Sequence, residues 1–251
     1  MLAALAARRP IDAKVALIVA HPDDETLAAG GSLRLMPKLL LIHVTDGAPR
    51  TLTDVTRNGF QTPAAYARAR ADELALALAL ASADPVRETL GIPDQETIDH
   101  LDDITDRLHD LIDTHHVDLL LTHAYEGGHP DHDSVARCVH CLGRPTYEFA
   151  GYHAGGNGRM ITQEFLPDPA AKSTSIRLPP SDLSRKRAML DCFRTQADML
   201  ANFDPTTEKF RAAPRYNFSE PPHAGQLLYE RWGWMDGQTW RDRAGRLQCA
   251  G

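Results

Sequence analysis

Short, almost fully apolar runs alternate with long helical patterns, and this alternation constrains the fold more than any other feature of the chain. The runs cover residues 15–20, 39–44 and 117–122, while residues 62–83 and 97–115 have apolar side chains at helical spacing. Near-continuous apolarity is typical of strands that are buried on both faces of a parallel sheet. The order of the elements therefore predicts an α/β fold with a mostly parallel sheet flanked by helices.

The last third of the chain is less regular. We predict strands over residues 149–152 and 175–178 and a helix over residues 181–203. Residues 204–251 are rich in proline, arginine and aromatic side chains. This segment is expected to be an ordered, loop-rich extension, a lid or an oligomer contact, rather than a second domain. We therefore assign residues 1–251 to a single domain.

The composition excludes several classes of protein. A hydrophobic content of 43% allows a sizeable core, and a net charge of -7 argues against a nucleic-acid partner, which would need a basic surface. No apolar run reaches the length of about 18 residues that a membrane span needs. The short apolar run at the N-terminus is followed by arginines, unlike a signal peptide. We expect a cytoplasmic protein that acts on a small molecule, with its oligomeric state left open.

The four cysteines are Cys138, Cys141, Cys192 and Cys249, and they are not spaced as a disulfide framework. This usage is consistent with a reducing compartment. Cys138 and Cys141 form a CxxC pair in a predicted helix, without the second pair or the redox context that would indicate a metal or redox site. We expect two packed thiols on that helix.

Two charged loops directly follow predicted strands. HPDDE occupies residues 21–25, after the first apolar run, and EGGHPDHD occupies residues 126–133, after the third. Because the carboxyl ends of parallel strands meet at the same edge of a sheet, we expect these loops to lie close together. Imidazole and carboxylate are ligands of divalent metals, and a catalytic zinc takes three protein ligands and leaves one position for water. The two loops therefore predict a zinc site.

His21, Asp24 and His132 supply the predicted ligand set. Asp23 then remains free to take a proton from water as a general base, which metal hydrolases require. The alternative is that Asp23 or Asp24 only caps the helix that follows, where the helix dipole favours a carboxylate. Glu25 is expected to support the start of that helix.

His129 precedes His132 by three residues, so both imidazoles reach one side of a helix that begins there. His129 is thus an alternative ligand, but we interpret it as a protonated partner of the developing oxyanion and of the leaving amine. Asp131 is expected to orient His129 and to balance its charge. Gly127 and Gly128 allow the backbone to approach closely.

The sequence AHPDDETLAAGG together with GHPDHD resembles the PIG-L/LmbE-type zinc-dependent deacetylases, which remove acetyl groups from N-acetylglucosamine-containing compounds. Four further fragments are similar to the same family: TDG, RADELALALALA, LGIPD and KRAMLDCFRTQ. The resemblance implies a Rossmann-like fold, a zinc site at the same three ligands, and a substrate that is an N-acetyl amino sugar or its conjugate. The same ligands also accept Fe2+ or Co2+.

The resemblance also implies roles for residues outside the two charged loops. Arg70 matches an arginine that contacts the sugar or its substituent, and Asp94 is a candidate for a sugar-hydroxyl contact. The structural alternatives are a helix ion pair of Arg70 with Glu73 and a turn aspartate at position 94. In the thiol-precursor branches of the family a tyrosine stands two residues before the HPDH histidine, whereas this chain has Gly127.

Two other functions are compatible with parts of this pattern. Two histidines and one carboxylate also form the facial triad of non-haem iron(II) oxygenases, although those enzymes commonly have an HxD pair on β-rich folds. A non-enzymatic Rossmann-like module that binds a nucleotide or a sugar is the other alternative. Such a module is expected to carry GxGxxG after its first strand, where this chain has carboxylates that repel a pyrophosphate.

Overall fold

The computed structural model describes residues 1–249, the side chain of Asp54 excepted. The strands are β1 (Val15–Val19), β2 (Leu40–Pro49), β3 (Val86–Asp94), β4 (Leu119–His123), β5 (Thr146–Phe149), β6 (Tyr152–Ala154), β7 (Met160–Thr162), β8 (Ser173–Arg177) and β9 (Thr207–Ala212). The α-helices are α1 (Leu2–Ala6), α2 (Asp24–Ala29), α3 (Leu52–Arg57), α4 (Pro63–Leu80), α5 (Leu101–Thr114), α6 (Pro130–His140), α7 (Pro180–Leu190), α8 (Ala197–Leu200), α9 (Leu228–Arg231) and α10 (Gly237–Ala244).

Seven strands form the main sheet, in the order β3-β2-β1-β4-β5-β9-β8. The first five of these are parallel, and β9 and β8 continue the sheet in antiparallel fashion. The chain thus runs outward from β1 through β2 and β3, then returns to place β4 on the other side of β1. The predicted α/β fold with a mostly parallel sheet is confirmed, and its strand order reverses between β1 and β4.

Helices cover both faces of the sheet. Alternate residues of β1 contact opposite layers: Ile18 packs in a cluster with residues of α5 and α6, and Leu17 packs in a cluster with residues of α4 and α7. The side chains of both residues are fully buried. A strand with apolar groups on both faces needs a covering layer on each side, which explains the continuous apolar run at residues 15–20.

The boundaries of several predicted elements differ from those observed. The strand expected over residues 149–152 falls across the break between β5 and β6. The single helix expected over residues 181–203 is three shorter elements: α7, a 3-10 turn at Arg194–Gln196 and α8. The backbone N–H and the hydroxyl of Thr195 donate to the Glu73 carboxylate at 3.0 and 2.6 Å, which replaces helical hydrogen bonding at that turn.

The segment expected to be loop-rich from residue 204 onward contributes regular structure. Its strand β9 lies inside the main sheet between β5 and β8, and its helix α10 packs against α6. Trp240 of α10 is fully buried and donates from Nε1 to the hydroxyl of Ser134 at 3.0 Å. The segment therefore completes the sheet and one helical layer. Within residues 1–249, no helix combines the length and apolarity that crossing a membrane requires.

Cys141 and Cys249 form a disulfide across a sequence separation of 108 residues. Cys138 and Cys192 have free thiols. The expectation of two packed thiols is therefore wrong for Cys141, because its partner comes from a distant part of the chain that spacing did not reveal. Because disulfides persist mainly in oxidising compartments, this bond argues against the reducing compartment that the cysteine spacing suggested. The cytoplasmic location stays a prediction.

Candidate metal centre and active site

The two charged loops meet at the carboxyl edge of the sheet, on either side of the β1–β4 reversal. The first loop leads from β1 into α2, and the second leads from β4 into α6. Because β1 and β4 are hydrogen-bonded parallel neighbours, their following loops start side by side. The crevice at such a reversal is the usual ligand site of open α/β sheets. The predicted meeting of the two loops is observed.

His21, Asp24 and His132 converge on one point. His21 Nδ1 lies 3.3 Å from His132 Nε2 and 3.3 Å from Asp24 Oδ2, and His132 Nε2 lies 3.4 Å from Asp24 Oδ1. Zinc ligands lie at about 2.0–2.1 Å from the ion, so in tetrahedral geometry they lie about 3.3–3.4 Å from one another. The three side chains are also buried. Asp24 turns a different oxygen toward each histidine, so the cluster offers the donors that a divalent cation prefers at separations close to those of zinc ligands.

Two further histidines lie beside this trio, and one nitrogen of each ring accepts a backbone hydrogen bond. His123 Nε2 accepts a hydrogen bond from the backbone N–H of Ala20 at 3.0 Å. His129 Nδ1 accepts one from the backbone N–H of Asp131 at 3.1 Å. In the neutral tautomer each ring then carries its proton on the other nitrogen and has no lone pair left for a cation. The hydrogen bonds therefore favour His21 and His132 as the imidazole ligands.

The carboxylate of Asp131 contacts His21, and not His129 as the sequence suggested. Asp131 Oδ2 lies 3.2 Å from His21 Nε2, and Oδ1 accepts a hydrogen bond from the hydroxyl of Thr97 at 2.6 Å. Asp131 contacts His129 only through its backbone N–H. A carboxylate on the far nitrogen of a histidine directs the near nitrogen toward a metal. The contact of Asp131 with His21 is the arrangement that would orient His21 as a ligand.

Asp94 stands between two histidines at the end of β3. Its Oδ1 is 3.1 Å from His21 Nε2 and 3.8 Å from His129 Nε2. Although burial opposes ionisation, the neighbouring His21 and His129 hold the pKa of Asp94 below its ordinary value. Asp94 therefore has partners within the site, which the turn-aspartate alternative does not describe, and its contact to a sugar hydroxyl stays a prediction.

Asp23 is held in an unusual conformation at the start of α2. Its φ of 127° lies in a region that residues other than glycine rarely adopt, and its Oδ2 is 3.2 Å from Arg70 Nη2. Burial raises the pKa of Asp23 to about 8, against the opposing effect of Arg70. Glu25 accepts the backbone N–H of Asp23 at 3.0 Å, consistent with its expected support of the helix start.

Arg70 is buried and binds protein groups in the described structure. Its guanidinium donates to the carbonyl of Pro22 at 2.6 Å and to the carbonyl of Gly47 at 3.0 Å, in addition to Asp23. The alternative ion pair with Glu73 is not formed, because Glu73 accepts hydrogen bonds from Thr195. Arg70 thus fixes the loop that carries Asp23, and the contact to substrate that the resemblance implied stays a prediction.

His129 is the N-cap residue of α6, and Pro130 is the first residue of the helix, a position where proline is favoured. Burial, together with the charge of His21, lowers the pKa of His129 well below its ordinary value. The protonated form expected from the sequence is therefore disfavoured. The neutral ring has its proton on Nε2 and remains a hydrogen-bond donor.

The position where thiol-precursor relatives have a tyrosine cannot accept one here. Gly127 has a φ of 71°, and a Cβ on it would lie 2.7 Å from Leu227. Tyr152, at the start of β6, lies instead beside the ligand His132, with ring centroids 5.3 Å apart. The C-terminal segment thus fills the space over the glycine, and an aromatic ring from another element borders the site.

Three residues of the site were not found from the sequence: His123 and Tyr152, which border His132, and Trp234, which borders His129. His123 ends β4 and stacks on His132 with ring centroids 4.0 Å apart, so its position directly after a predicted strand was an available signal. Trp234 lies 4.8 Å from His129. Tyr152 and Trp234 reach the site through long-range packing, which no local sequence motif predicts.

Residues 16–141 match the model of the PIG-L family, described as GlcNAc-PI de-N-acetylase. The chain belongs to the PIG-L family. The matched residues contain both charged loops, and therefore every predicted metal ligand of this PIG-L chain. No curated protein sequence matches it at a significant level.

Solved structures share the fold of this PIG-L protein at low sequence identity. The A40926 pseudoaglycone deacetylase Dbv21 is 17% identical, with a TM-score of 0.63, over 82% of this chain and 99% of the other. The zinc-inhibited form of the teicoplanin deacetylase Orf2 is 14% identical, with a TM-score of 0.60, over 81% of this chain and 98% of the other.

A third similar structure is that of an enzyme named for a different reaction. The 4-carboxy-2-hydroxymuconate hydratase GalB from Pseudomonas putida KT2440 is 18% identical, with a TM-score of 0.53, over 81% of this chain and 98% of that one. At these identities the likeness concerns the fold of this PIG-L chain, and the activity has to be argued from its own residues.

Proposed function

We propose that this chain is a metal-dependent N-deacetylase that removes the acetyl group from an amino sugar or from a GlcNAc-containing conjugate. The observation that carries the proposal is the trio of His21, Asp24 and His132, whose donor atoms lie 3.3–3.4 Å apart. Membership of a family described as GlcNAc-PI de-N-acetylase supports the reaction class. The deacetylases of the A40926 pseudoaglycone and of teicoplanin, which share the fold, support a conjugate as substrate.

The trio would hold Zn2+, and Fe2+ or Co2+ fits the same donors. When bound there, a divalent cation supplies Lewis acidity to the amide carbonyl and lowers the pKa of water. Asp131 and Asp94 hold the far nitrogen of His21, so that Nδ1 faces the other two ligands. This arrangement sets the direction of the ligand before any cation binds.

Asp23 is the proposed general base, because it directly precedes the ligand Asp24 and its carboxylate is fixed by Arg70. It takes a proton from the attacking water and returns it to the departing amine nitrogen. His129 donates a hydrogen bond from Nε2 to the carbonyl oxygen as negative charge develops on that atom. The C–N bond breaks, and the products are acetate and a free amino sugar.

We also propose that residues 1–251 work as one catalytic domain on a small-molecule substrate. The segment after residue 204 supports this view, because the backbone N–H of Leu228 donates to the carbonyl of Gly127 at 2.9 Å. This contact joins the C-terminal segment to the loop that carries His129.

The test combines metal analysis with acetate release. Purified protein is analysed for bound metals and assayed on glycosides of N-acetylglucosamine, with and without a chelator. We expect about one divalent ion per chain and acetate release that the chelator abolishes. Asp23→Asn should keep the metal and lower kcat by about 10²–10⁴-fold. Asp12→Asn, at an exposed position, is the matched control.

Other outcomes would contradict the proposal in recognisable ways. Oxygen consumption coupled to a co-substrate, with iron bound, would indicate an oxygenase. Sugar binding by a protein that contains no metal and releases no acetate would indicate a binding module. Normal turnover of Asp23→Asn would remove Asp23 from the mechanism.

A further inference from the structure

Two tryptophans form an exposed aromatic surface at the rim of the metal site. The side chain of Trp232 is 39% exposed, which is unusual for so large an apolar group, and Trp234 is half-buried. Their ring centroids are 4.7 Å apart and their planes are inclined by 58°, so the pair offers two angled aromatic faces. Exposed apolar surface with a polar border often marks a ligand-binding groove. We call these two indoles the tryptophan pair.

The backbone between the indoles is a fixed turn. Gly233 has a φ of 73°, a conformation that favours glycine, and its N–H donates to the carbonyl of Glu230 at 3.1 Å. The Glu230 carboxylate in turn accepts the backbone N–H groups of Leu227 at 2.7 Å and Gly237 at 2.9 Å. The turn is therefore held at both ends, and the tryptophan pair is positioned before any ligand arrives.

The tryptophan pair connects to the metal trio along two chains of ring contacts. Trp234 lies 4.8 Å from His129, measured between ring centroids. Trp232 lies 6.1 Å from Tyr152, which lies 5.3 Å from the ligand His132. A group bonded to an amide at the metal site is therefore within reach of the indoles. The pair also lies outside residues 16–141, so the family match does not account for it.

We propose that the tryptophan pair is the platform on which the pyranose ring of the amino sugar lies, with its N-acetyl group directed toward His21, Asp24 and His132. This inference rests on the proposed function and specifies which part of the substrate the rim recognises. The face of an indole carries negative charge density, and the C–H groups of a pyranose face are weakly positive, so the two surfaces attract each other. The platform thus selects a cyclic sugar over an acyclic amide.

Binding measurements test the platform without turnover. Zinc-loaded full-length Asp23→Asn protein is titrated with the methyl glycoside of N-acetylglucosamine, and separately with acetate, which lacks a sugar ring. We expect Trp232→Ala or Trp234→Ala to weaken glycoside binding at least about tenfold and to change acetate binding less than twofold. Leu80→Ala, at an exposed position on α4, is the control and should change neither.

Three results would overturn the platform. Unchanged glycoside affinity in both tryptophan variants would do so, and so would equal losses for glycoside and acetate, which indicate damage to the metal trio. A loss confined to an N-octanoyl glucosamine would assign the indoles to an acyl chain. If the alanine variants do not fold, Trp232→Leu keeps apolar volume without an aromatic face and should still weaken the glycoside.

The platform and the deacetylase proposal fail separately. Tryptophan-dependent glycoside binding by a protein that releases no acetate would keep the platform and reject the deacetylase. Acetate release by the wild type, with normal glycoside binding by both tryptophan variants, would keep the deacetylase and reject the platform.

Discussion

Asp131 contacts His21 across the β1–β4 reversal, with Oδ2 of the carboxylate 3.2 Å from Nε2 of the imidazole. A carboxylate from one charged loop therefore holds a proposed metal ligand of the other loop. Because loss of such a contact typically lowers metal affinity about 10–100-fold, we expect that effect from Asp131→Asn. Competition with a chelator of known affinity measures it.

The control for this prediction is Asp106→Asn, at an exposed position on α5. Unaltered zinc affinity in Asp131→Asn, together with a lower kcat, would contradict this prediction. It would instead support the role that the sequence suggested, in which Asp131 orients His129 and balances its charge.

Arg70→Lys should lower kcat and leave KM within twofold. A lysine cannot bridge the Pro22 and Gly47 carbonyls and the Asp23 carboxylate at once, since it lacks the guanidinium fork. Displacing the base by a fraction of an ångström is expected to cost about 10–100-fold in kcat. Steady-state kinetics of this variant and of the exposed Arg68→Lys give the comparison. A rise in KM alone would instead support the contact between Arg70 and substrate.

Asp182→Asn should destabilise the protein in a pH-dependent way. The Asp182 carboxylate is buried and lies within 3.0 Å of donor atoms of Arg8, Arg34 and Arg185. Although burial opposes ionisation, hydrogen bonds from these arginines hold the pKa of Asp182 well below its usual range. We expect the variant to lose about 1.5–3 kcal/mol of unfolding free energy at pH 7.

The sign of the pH effect follows from the lowered pKa. The stabilisation by Asp182 is complete above the pKa that an aspartate has in the unfolded chain, about 3.9. It is lost as the pH falls through the lower pKa that Asp182 has in the folded protein. Urea unfolding at pH 7 and near pH 3 should therefore show a smaller difference between wild type and variant at the lower pH. A difference that is constant with pH would contradict the assignment, and exposed Asp191→Asn serves as the control.

Lys186→Met tests an ion pair that is closed to solvent. Lys186 Nζ lies 3.0 Å from Glu208 Oε1, both side chains are 0% exposed, and the ammonium also donates to the Leu27 carbonyl at 2.8 Å. Removing the cation leaves a buried carboxylate without its counter-charge, which is expected to cost about 3–5 kcal/mol. Chemical denaturation measures this loss against exposed Lys172→Met. A loss below about 1 kcal/mol would show that other donors to Glu208 suffice.

The sequence contained enough information to predict the centre of the sheet and the meeting of the two charged loops, whereas the metal-ligand role of His21, Asp24 and His132 stays a prediction. β1, β2 and β4 are buried on both faces, so their apolar runs are visible without knowledge of their neighbours. β3 was not predicted, because it is a half-exposed edge strand that includes Gly91 and Pro93. β9 was not predicted, because its sequence TEKFRA is mostly polar and lies within a segment whose prolines suggested loops.

The roles of individual side chains were harder to predict than their presence in the site. Asp131 is two residues from His129 in the chain, yet its carboxylate lies on His21, because a side chain just inside a helix start faces the neighbouring loop. Arg70 has the spacing of a helix pair with Glu73, but both residues found partners in distant segments. Sequence spacing reports local geometry, whereas these partners depend on how separate elements pack.

The Cys141–Cys249 disulfide closes the chain between these two residues into a covalent ring that includes the rim of the site. Cys141 directly follows α6, the helix that begins beside His129 and carries His132, and Tyr152 and both tryptophans lie within the ring of chain that the bond closes. A single protease cut anywhere between residues 141 and 249 would therefore leave the fragments joined to the ligand-bearing helix. The segment that carries Tyr152 and both tryptophans is tethered at two ends, and a nicked molecule keeps it attached.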